Sequence, residues 1–272
     1  MDSAKGSKSE NLARAKAMIT ESSPTAGSLI LLPEMFATGY LPTSLDDAAE
    51  DFSTSSAGET AHMLSEIANA TNCTIMGAGI TCAPHGFYNH VSIYAPQSTN
   101  EFRGYNKMNL FFPERDAFSP GEKINLFNIK EIPAFAGMTE GANWKVASFI
   151  CYDLRFPEIF REATKQGANL ITVQAAWPAK RSAHWETLLK ARAIENQVYI
   201  AAVNAVSVNH DPQITRVPLA GTSFIIAPTG EILAEGPTQS EGIISAELDL
   251  QAEKDYRKTF PVLDGIVPPE LL

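Results

Sequence analysis

The segment FICYDLRFPE, residues 149–158, contains the end of an apolar run, a cysteine and a proline suited to begin a helix. The run WKVASFI before it is typical of a buried strand, and Pro157 fits the first position of a helix over residues 158–166. A free cysteine is often a small core residue. At a strand-to-helix turn, however, we expect an exposed Cys151 sulfur, with the Tyr152 N–H and the helix N-terminus stabilising a thiolate.

Two other ionisable residues follow apolar runs in the same way. Glu34 comes after LILLP and Lys107 after FRGYN. Alone, Lys107 is typical of a solvated surface lysine, and Glu34 of a helix cap or a surface carboxylate. A carboxylate directly after a buried run is nevertheless costly without partners. Because strand ends can bring polar groups to one edge of a sheet, we expect Glu34, Lys107 and Cys151 to share a pocket.

Periodicity along the chain alternates between helical and strand-like segments. Helices are predicted after Ser9, over Thr60–Thr71 and over Ser182–Asn196, and the last of these carries a core stripe. Between and after them lie strand-like runs: LILL, CTIMGAGIT, HVSIYAP, INLFNI, WKVASFI, residues 169–174 and 198–204, TSFIIAP, EILAEG and GIISAEL. This order predicts a layered α/β protein with residues 1–272 as a single domain.

Composition excludes several classes of protein. The formal charge of −10 argues against a nucleic-acid surface, and no apolar run approaches the roughly 18 residues of a membrane helix. Three cysteines without a C-x-x-C pair suggest neither a disulfide framework nor zinc, and the five histidines show no metal-ligand spacing. We therefore expect a cytoplasmic protein with no metal and no cofactor, whose partner is a small molecule rather than nucleic acid or a membrane.

Three ordered blocks carry a family resemblance: LLPEMFATGY, YNKMNLF and FICYDLRFPE resemble the motif blocks of the nitrilase superfamily of carbon–nitrogen hydrolases. The similarity runs from about Asn11 to Pro261. It implies a four-layer α-β-β-α sandwich and a homodimer with residues of about 250–272 in its contacts. It also implies Glu34, Lys107 and Cys151 as the catalytic triad.

The loop PERDAFSPG, residues 113–121, resembles the part of the family that bears a second glutamate. The resemblance maps this supporting residue onto Glu114, with Asp116 close by. In the mechanism that the family implies, Glu34 is the general base, and Lys107 and the backbone N–H of Tyr152 hold the oxyanion. A thioester on Cys151 is then hydrolysed.

The block from Trp177 to Asn204, beginning WPAKRSAHWE, is similar to bacterial omega-amidases. The implied reaction converts the terminal amide of a small 2-oxo acid, such as 2-oxoglutaramate or 2-oxosuccinamate, to the dicarboxylate and ammonia. Trp177 is either a pocket wall or a core residue, and Arg115, Lys180 and Arg181 are the cations that could meet the substrate carboxylate. Two alternatives remain: another small amide or carbamoyl substrate, and a catalytically silent scaffold or binding protein.

The sequence departs from the family pattern in two places. We expect the apolar strand that precedes the first helix in the family to be missing here, since only MDSAKGSKSE precedes that helix. The segment EIPAFAGMTEG, residues 131–141, is longer than a hairpin needs. We expect this insertion at an exposed hairpin tip, with no assigned role.

Overall fold

The computed structural model describes residues 1–2, 7–54, 56–83, 86–98, 101, 104–129, 144–208 and 217–265. The insertion at residues 131–141 lies outside them. The helices in this part of the chain are α1 (Lys8–Glu21), α2 (Leu45–Ala48), α3 (Glu59–Thr71), α4 (Pro157–Lys165), α5 (Ser182–Asn196) and α6 (Leu250–Thr259). The strands are β1 (Leu29–Leu31), β2 (Thr74–Ala83), β3 (Gly86–Tyr94), β4 (Tyr105–Asn106), β5 (Leu126–Ile129), β6 (Trp144–Ile150), β7 (Leu170–Ala175), β8 (Tyr199–Asn204), β9 (Phe224–Ile226) and β10 (Ile232–Glu235).

The strands form two mixed sheets. The N-terminal sheet has the order β1-β2-β3-β4, and the C-terminal sheet has the order β10-β9-β8-β7-β6-β5. In the first sheet, β1 is parallel to β2. Strand β3 is antiparallel to both of its neighbours, β2 and β4. In the second, β6, β7 and β8 are parallel. As a result β1 and β4 run in the same direction and end at the same edge of their sheet.

Each face of the N-terminal sheet has a different packing partner. On one face, a Cβ atom at Gly77 would lie 2.9 Å from side chains of Leu64 and Phe36, so the glycine allows α3 to pack closely on β2. Residues of the other face, such as Val91, belong to a core shared with Val146 and other residues of the C-terminal sheet. Outside the C-terminal sheet, α4 contributes the ring of Phe160, 4.5 Å from that of Phe149.

Most predicted elements are confirmed, including the strand that ends just before Cys151 and the helix that begins at Pro157. The strand predicted for GIISAEL, residues 242–248, was wrong: the described chain contains no strand there. Its residues alternate between exposed and half-buried, as in a strand, but β10 is at the edge of its sheet and pairs only with β9. Alternation alone therefore predicted extended backbone but could not predict a partner.

Candidate active site

Three strand ends deliver the residues that the sequence singled out. Glu34 comes three residues after β1, Lys107 follows β4 directly, and Cys151 follows β6 directly. Glu34 and Lys107 are 0% exposed, and Cys151 is 7% exposed. The strand ends thus place two buried charges and a thiol in the protein interior, a placement that requires compensating contacts.

Those contacts form a closed polar ring of four fully buried side chains: Glu34, Asn89, Lys107 and Glu114. The Lys107 ammonium donates to Oε1 of Glu34 at 2.9 Å and to Oε1 of Glu114 at 2.8 Å. The Asn89 amide donates to the same two oxygens, at 2.7 Å and 2.9 Å respectively. Both carboxylates therefore share one cation and one neutral donor group.

Strand register places Asn89 beside Lys107. Strands β3 and β4 pair His90 with Asn106, and the next pair in this antiparallel register joins Asn89 to Lys107, whose N–H donates to the Asn89 carbonyl at 2.8 Å. Directly opposite residues project to the same face of a sheet with Cβ atoms about 5 Å apart. The ladder of two strands thus fixes half of the polar ring.

The second oxygen of each carboxylate is anchored to backbone. Glu34 Oε2 accepts from the N–H of Ala176, just after β7, at 2.9 Å, and Glu114 Oε2 accepts from the N–H of Phe111 at 2.7 Å. Burial and the charges of Glu34 and Glu114 raise the pKa of the Tyr40 phenol, which therefore keeps its proton. Asp116, close by in the sequence, is exposed. Of the two acidic residues, only Glu114 is in the polar ring.

Cys151 has φ = 46°, in the left-handed region that is strained for a residue with a side chain. It begins a short 3-10 helix, Cys151–Arg155, and its thiol lies in the field of the Glu34, Lys107 and Glu114 charges. The expectation of an exposed, thiolate-stabilising turn was wrong. The sulfur is buried, and burial, the charge of Glu34 and that of Glu114 raise the pKa of Cys151 well above its usual value, although Lys107 opposes them.

Charges in the polar ring act on one another. Burial alone would lower the pKa of Lys107, but the carboxylates of Glu34 and Glu114 raise it above its usual value, so the ammonium keeps its proton. Burial raises the pKa of Glu114. The negative charge of Glu34 raises this pKa further, while the positive charge of Lys107 opposes both effects. Lys107 is therefore a permanent cation, whereas Glu114 holds a proton more readily than an ordinary glutamate.

A buried carboxylate, Asp153, supports the turn at Cys151. One oxygen accepts from the N–H of Ile150 at 3.0 Å and from the Tyr105 hydroxyl at 2.8 Å. The other accepts from the backbone and side-chain amides of Asn109, at 2.8 Å and 3.0 Å. Asp153 thus connects the turn that carries Cys151 to the segment that follows Lys107.

The predicted pocket residues occupy different environments. Trp177 is 2% exposed and packs against Trp185, with the two rings tilted and their centroids 5.5 Å apart, which favours its interpretation as a core residue. Arg115 is exposed and lies over the Phe112 ring. Arg181 is half-buried, and its carbonyl accepts from the Trp177 indole at 2.8 Å. Lys180 is exposed.

Arg155 is a further cation that the sequence analysis did not single out. Its guanidinium lies 4.7 Å from the ring centroid of Trp177 and 5.8 Å from that of Tyr152, the neighbour of Cys151. Its side chain is half-buried, and no described carboxylate lies within ion-pair distance of it. Arg155 is therefore a cation next to the turn at Cys151, and no described carboxylate pairs with its charge.

Sequence reasoning also missed Asn89, Tyr40 and Asp153. Tyr40 and Asp153 stand inside the quoted motif blocks, so their position there was a usable signal. Asn89 precedes the predicted strand HVSIYAP and carries no charge, so nothing in its local sequence marks it. Only the strand register shows that it contacts two glutamates.

The chain belongs to the carbon–nitrogen hydrolase family, whose model matches residues 1–258. It is 34% identical over 263 residues to the 2-oxoglutaramate amidase of Bacillus subtilis, covering 96% of this chain and 93% of that protein. It is 30% identical over 266 residues to omega-amidase NIT2 of Xenopus tropicalis, covering 94% and 88%. The nitrilase resemblance drawn from three motif blocks is thereby confirmed.

A solved structure shares the fold. Saccharomyces cerevisiae Nit3, a member of branch 10 of the nitrilase superfamily, matches with a TM-score of 0.79 and 27% identity, covering 94% of this chain and 90% of that one. The α/β fold expected from the alternating elements is confirmed. Among the described residues, no helix is long and apolar enough to cross a membrane, and no three acidic, histidine or cysteine side chains are grouped to hold a metal ion.

Proposed function

We propose that this protein is a cysteine amidase of the omega-amidase type, which hydrolyses the terminal amide of a small 2-oxo acid to the dicarboxylate and ammonia. The observation that carries the proposal is the polar ring of Glu34, Asn89, Lys107 and Glu114 against the Cys151 thiol. A buried thiol, base and cation together supply what amide hydrolysis requires. The similarity to a 2-oxoglutaramate amidase favours this substrate class.

The first half of the reaction forms a thioester. Because the pKa of Cys151 is raised, its thiol is protonated at neutral pH and needs a base at the moment of attack. Glu34, whose charge acts on that thiol, takes the proton as sulfur attacks the amide carbon. The protonated Glu34 then gives the proton to the departing ammonia.

The developing oxyanion is stabilised by Lys107. An ammonium has three donors, and two of them point to Glu34 and Glu114. No described residue is seen to accept the third, which is left for the substrate oxygen. The backbone N–H of Tyr152 is the second donor in this proposal, since it follows the nucleophile directly.

Hydrolysis of the thioester completes the cycle. Glu34, again a carboxylate, removes a proton from a water molecule that attacks the thioester carbon, and sulfur leaves with the returned proton. Glu114 keeps Lys107 in place throughout, because its Oε1 and Oε2 are held by Lys107 and by the backbone of Phe111.

A 2-oxo acid also carries a carboxylate, which a cation should meet. Arg155 fits this role better than Arg115 or Arg181, because its guanidinium lies beside the residue that follows Cys151. We also propose that residues 1–272 form one domain with a four-layer α-β-β-α arrangement. In this proposal the protein is a homodimer, joined through helices and the C-terminal segment. The four-layer arrangement is supported by the packing of helices outside each sheet and by one shared core between the sheets.

Substitution of the nucleophile tests the function. Cys151→Ala should lower ammonia release from 2-oxoglutaramate by a factor on the order of 10⁴ or more, with an unchanged melting temperature. Cys82→Ala, at an exposed cysteine, is the control and should keep full activity. The wild type should prefer 2-oxoglutaramate or 2-oxosuccinamate to glutamine and to simple aliphatic amides. Appreciable turnover by Cys151→Ala, or a wild type that prefers neutral amides, would end the proposal.

A further inference from the structure

Asn89 is a buried side chain that the mechanism above does not use. It is 0% exposed, and its Nδ2 is 2.7 Å from Glu34 Oε1 and 2.9 Å from Glu114 Oε1. No described residue donates a hydrogen bond to its Oδ1. All the hydrogen bonds of this amide group therefore go to the two glutamates of the site.

The orientation of the amide follows from charge. A reversed Asn89 would place its carbonyl oxygen within 2.9 Å of two carboxylate oxygens, a contact between acceptors only. With Nδ2 toward the glutamates, each of its two N–H groups meets one carboxylate. The pair of carboxylates selects a residue with two donors and no charge.

The donors of Asn89 also determine what remains for Lys107. Each Oε1 atom of the glutamates receives one hydrogen bond from Lys107 and one from Asn89. Without the amide, the Lys107 ammonium would be the one donor shared by the two Oε1 atoms among the described side chains. With it, each Oε1 atom is held by two donors, so we expect the carboxylates to keep fixed positions and the third N–H of Lys107 to stay available to another acceptor.

We infer that Asn89 is a positioning residue of the amidase site, which holds the general base Glu34 and the lysine-orienting Glu114 at their working separation and leaves one Lys107 proton for the oxyanion. This inference rests on the proposed function. Its effect is expected on the chemical step and on the protonation of the site rather than on substrate affinity.

The isosteric substitution Asn89→Asp tests it, because it replaces two donors by a third carboxylate in the same volume. We expect kcat for 2-oxoglutaramate to fall on the order of 10²-fold with KM changed less than about threefold, and the acid limb of the kcat/KM profile to move up by about one pH unit. The matched control is Asn128→Asp, the same change at an exposed position of β5. It should change neither kcat nor the acid limb of the profile. A folded Asn89→Asp with wild-type kcat and an unmoved acid limb would overturn the inference.

A second variant and a second readout separate the possible failures. If Asn89→Asp does not fold, Asn89→Ser, which removes volume and leaves one donor, should show the same loss of kcat, and a wild-type rate would again contradict the role.

If wild-type protein does not hydrolyse 2-oxoglutaramate, the proposed function fails, but alkylation of Cys151 by iodoacetamide still tests Asn89. At fixed pH, Asn89→Asp should slow that alkylation about tenfold, because added negative charge raises the pKa of the thiol. An unchanged rate would refute the positioning role.

Discussion

Cys151 lies in surroundings that disfavour its thiolate. Burial and the charges of Glu34 and Glu114 raise its pKa, and the single positive charge of Lys107 does not offset them. A thiol of this kind is unreactive until a base removes its proton. In the mechanism proposed above, the site couples deprotonation to attack instead of storing a reactive thiolate, which would also be open to oxidation.

Glu34→Gln should separate the two effects of this glutamate. Loss of its negative charge should lower the pKa of Cys151, so that alkylation of the thiol at neutral pH becomes faster. Loss of the base should nevertheless reduce ammonia release by a factor on the order of 10³. The alkylation rate and the turnover are measured on one preparation. Mass spectrometry of the Cys151 peptide across pH 6–10 gives the alkylation rate, and an ammonia assay gives the turnover. A variant that retains turnover, or whose thiol pKa rises, contradicts the role given to Glu34.

Arg155→Gln tests how the substrate carboxylate is recognised. If this guanidinium, with which no described carboxylate pairs, meets the substrate carboxylate, its loss should raise KM for 2-oxoglutaramate by at least about tenfold, since a charge-assisted hydrogen bond contributes roughly 1.5–3 kcal/mol. Slow hydrolysis of a neutral amide should change little. Arg115→Gln, at an exposed residue, is the control. An equal loss on charged and neutral amides would show that Arg155 supports the fold of the turn instead.

At the scale of elements, the segment between Lys107 and Gly121 determines where Glu114 lies. It leaves β4 at Lys107 and returns to it at Gly121, whose N–H donates to the Lys107 carbonyl at 2.8 Å. A Cβ on Gly121 would be 2.1 Å from the carbonyl oxygen of Asn106, closer than any real contact. Only glycine allows this approach of two backbone segments.

Gly121→Ala should therefore displace the segment that carries Glu114. We expect a loss of about 1–3 kcal/mol in the free energy of unfolding, measured by urea denaturation, and a fall in kcat of about tenfold. Gly265→Ala is the matched control, because nothing lies within 4 Å of its added methyl group. Unchanged kcat in Gly121→Ala would show that Glu114 tolerates movement of its loop.

At the scale of the whole molecule, helix α5 exposes apolar surface. Ile194 is 48% exposed, and beyond α6 Phe260 is 58% exposed. The inner side of α6 already contacts its own chain, since Arg257 donates to the carbonyls of Gln197 and Ala168. Exposed apolar residues on both segments are suited to a subunit contact, as the predicted homodimer requires.

Sedimentation velocity tests this prediction. The mass obtained for the wild type should be twice that of one chain. The Ile194→Glu variant should have a lower mass, closer to that of one chain, because the new charge would be buried without a partner in the interface. Ala17→Glu, at an exposed position of α1, should leave the wild-type mass unchanged. A monomeric wild type would refute the homodimer, and an unshifted Ile194→Glu would place the interface elsewhere.

Local sequence determined the elements and most of the reactive residues. Apolar runs that stop at Glu34, Lys107 and Cys151 mark the ends of three strands, because side-chain periodicity and a proline act within a few residues of chain. The α/β class and the family follow from the same segments. Asp153 stood within one of them, but its hydrogen bonds to Tyr105 and Asn109 of another segment could not be predicted from either segment.

Tertiary structure alone decided how those residues act on one another. Asn89 acquires its role from the pairing of β3 with β4, and the thiol of Cys151 is protonated because two sheets and two glutamates enclose it. The unpaired segment at residues 242–248 shows the same limit, since extended backbone needs a neighbour that its own sequence does not specify. Burial, register and the field of surrounding charges depend on residues far apart in the chain, and they exist only once the chain has folded.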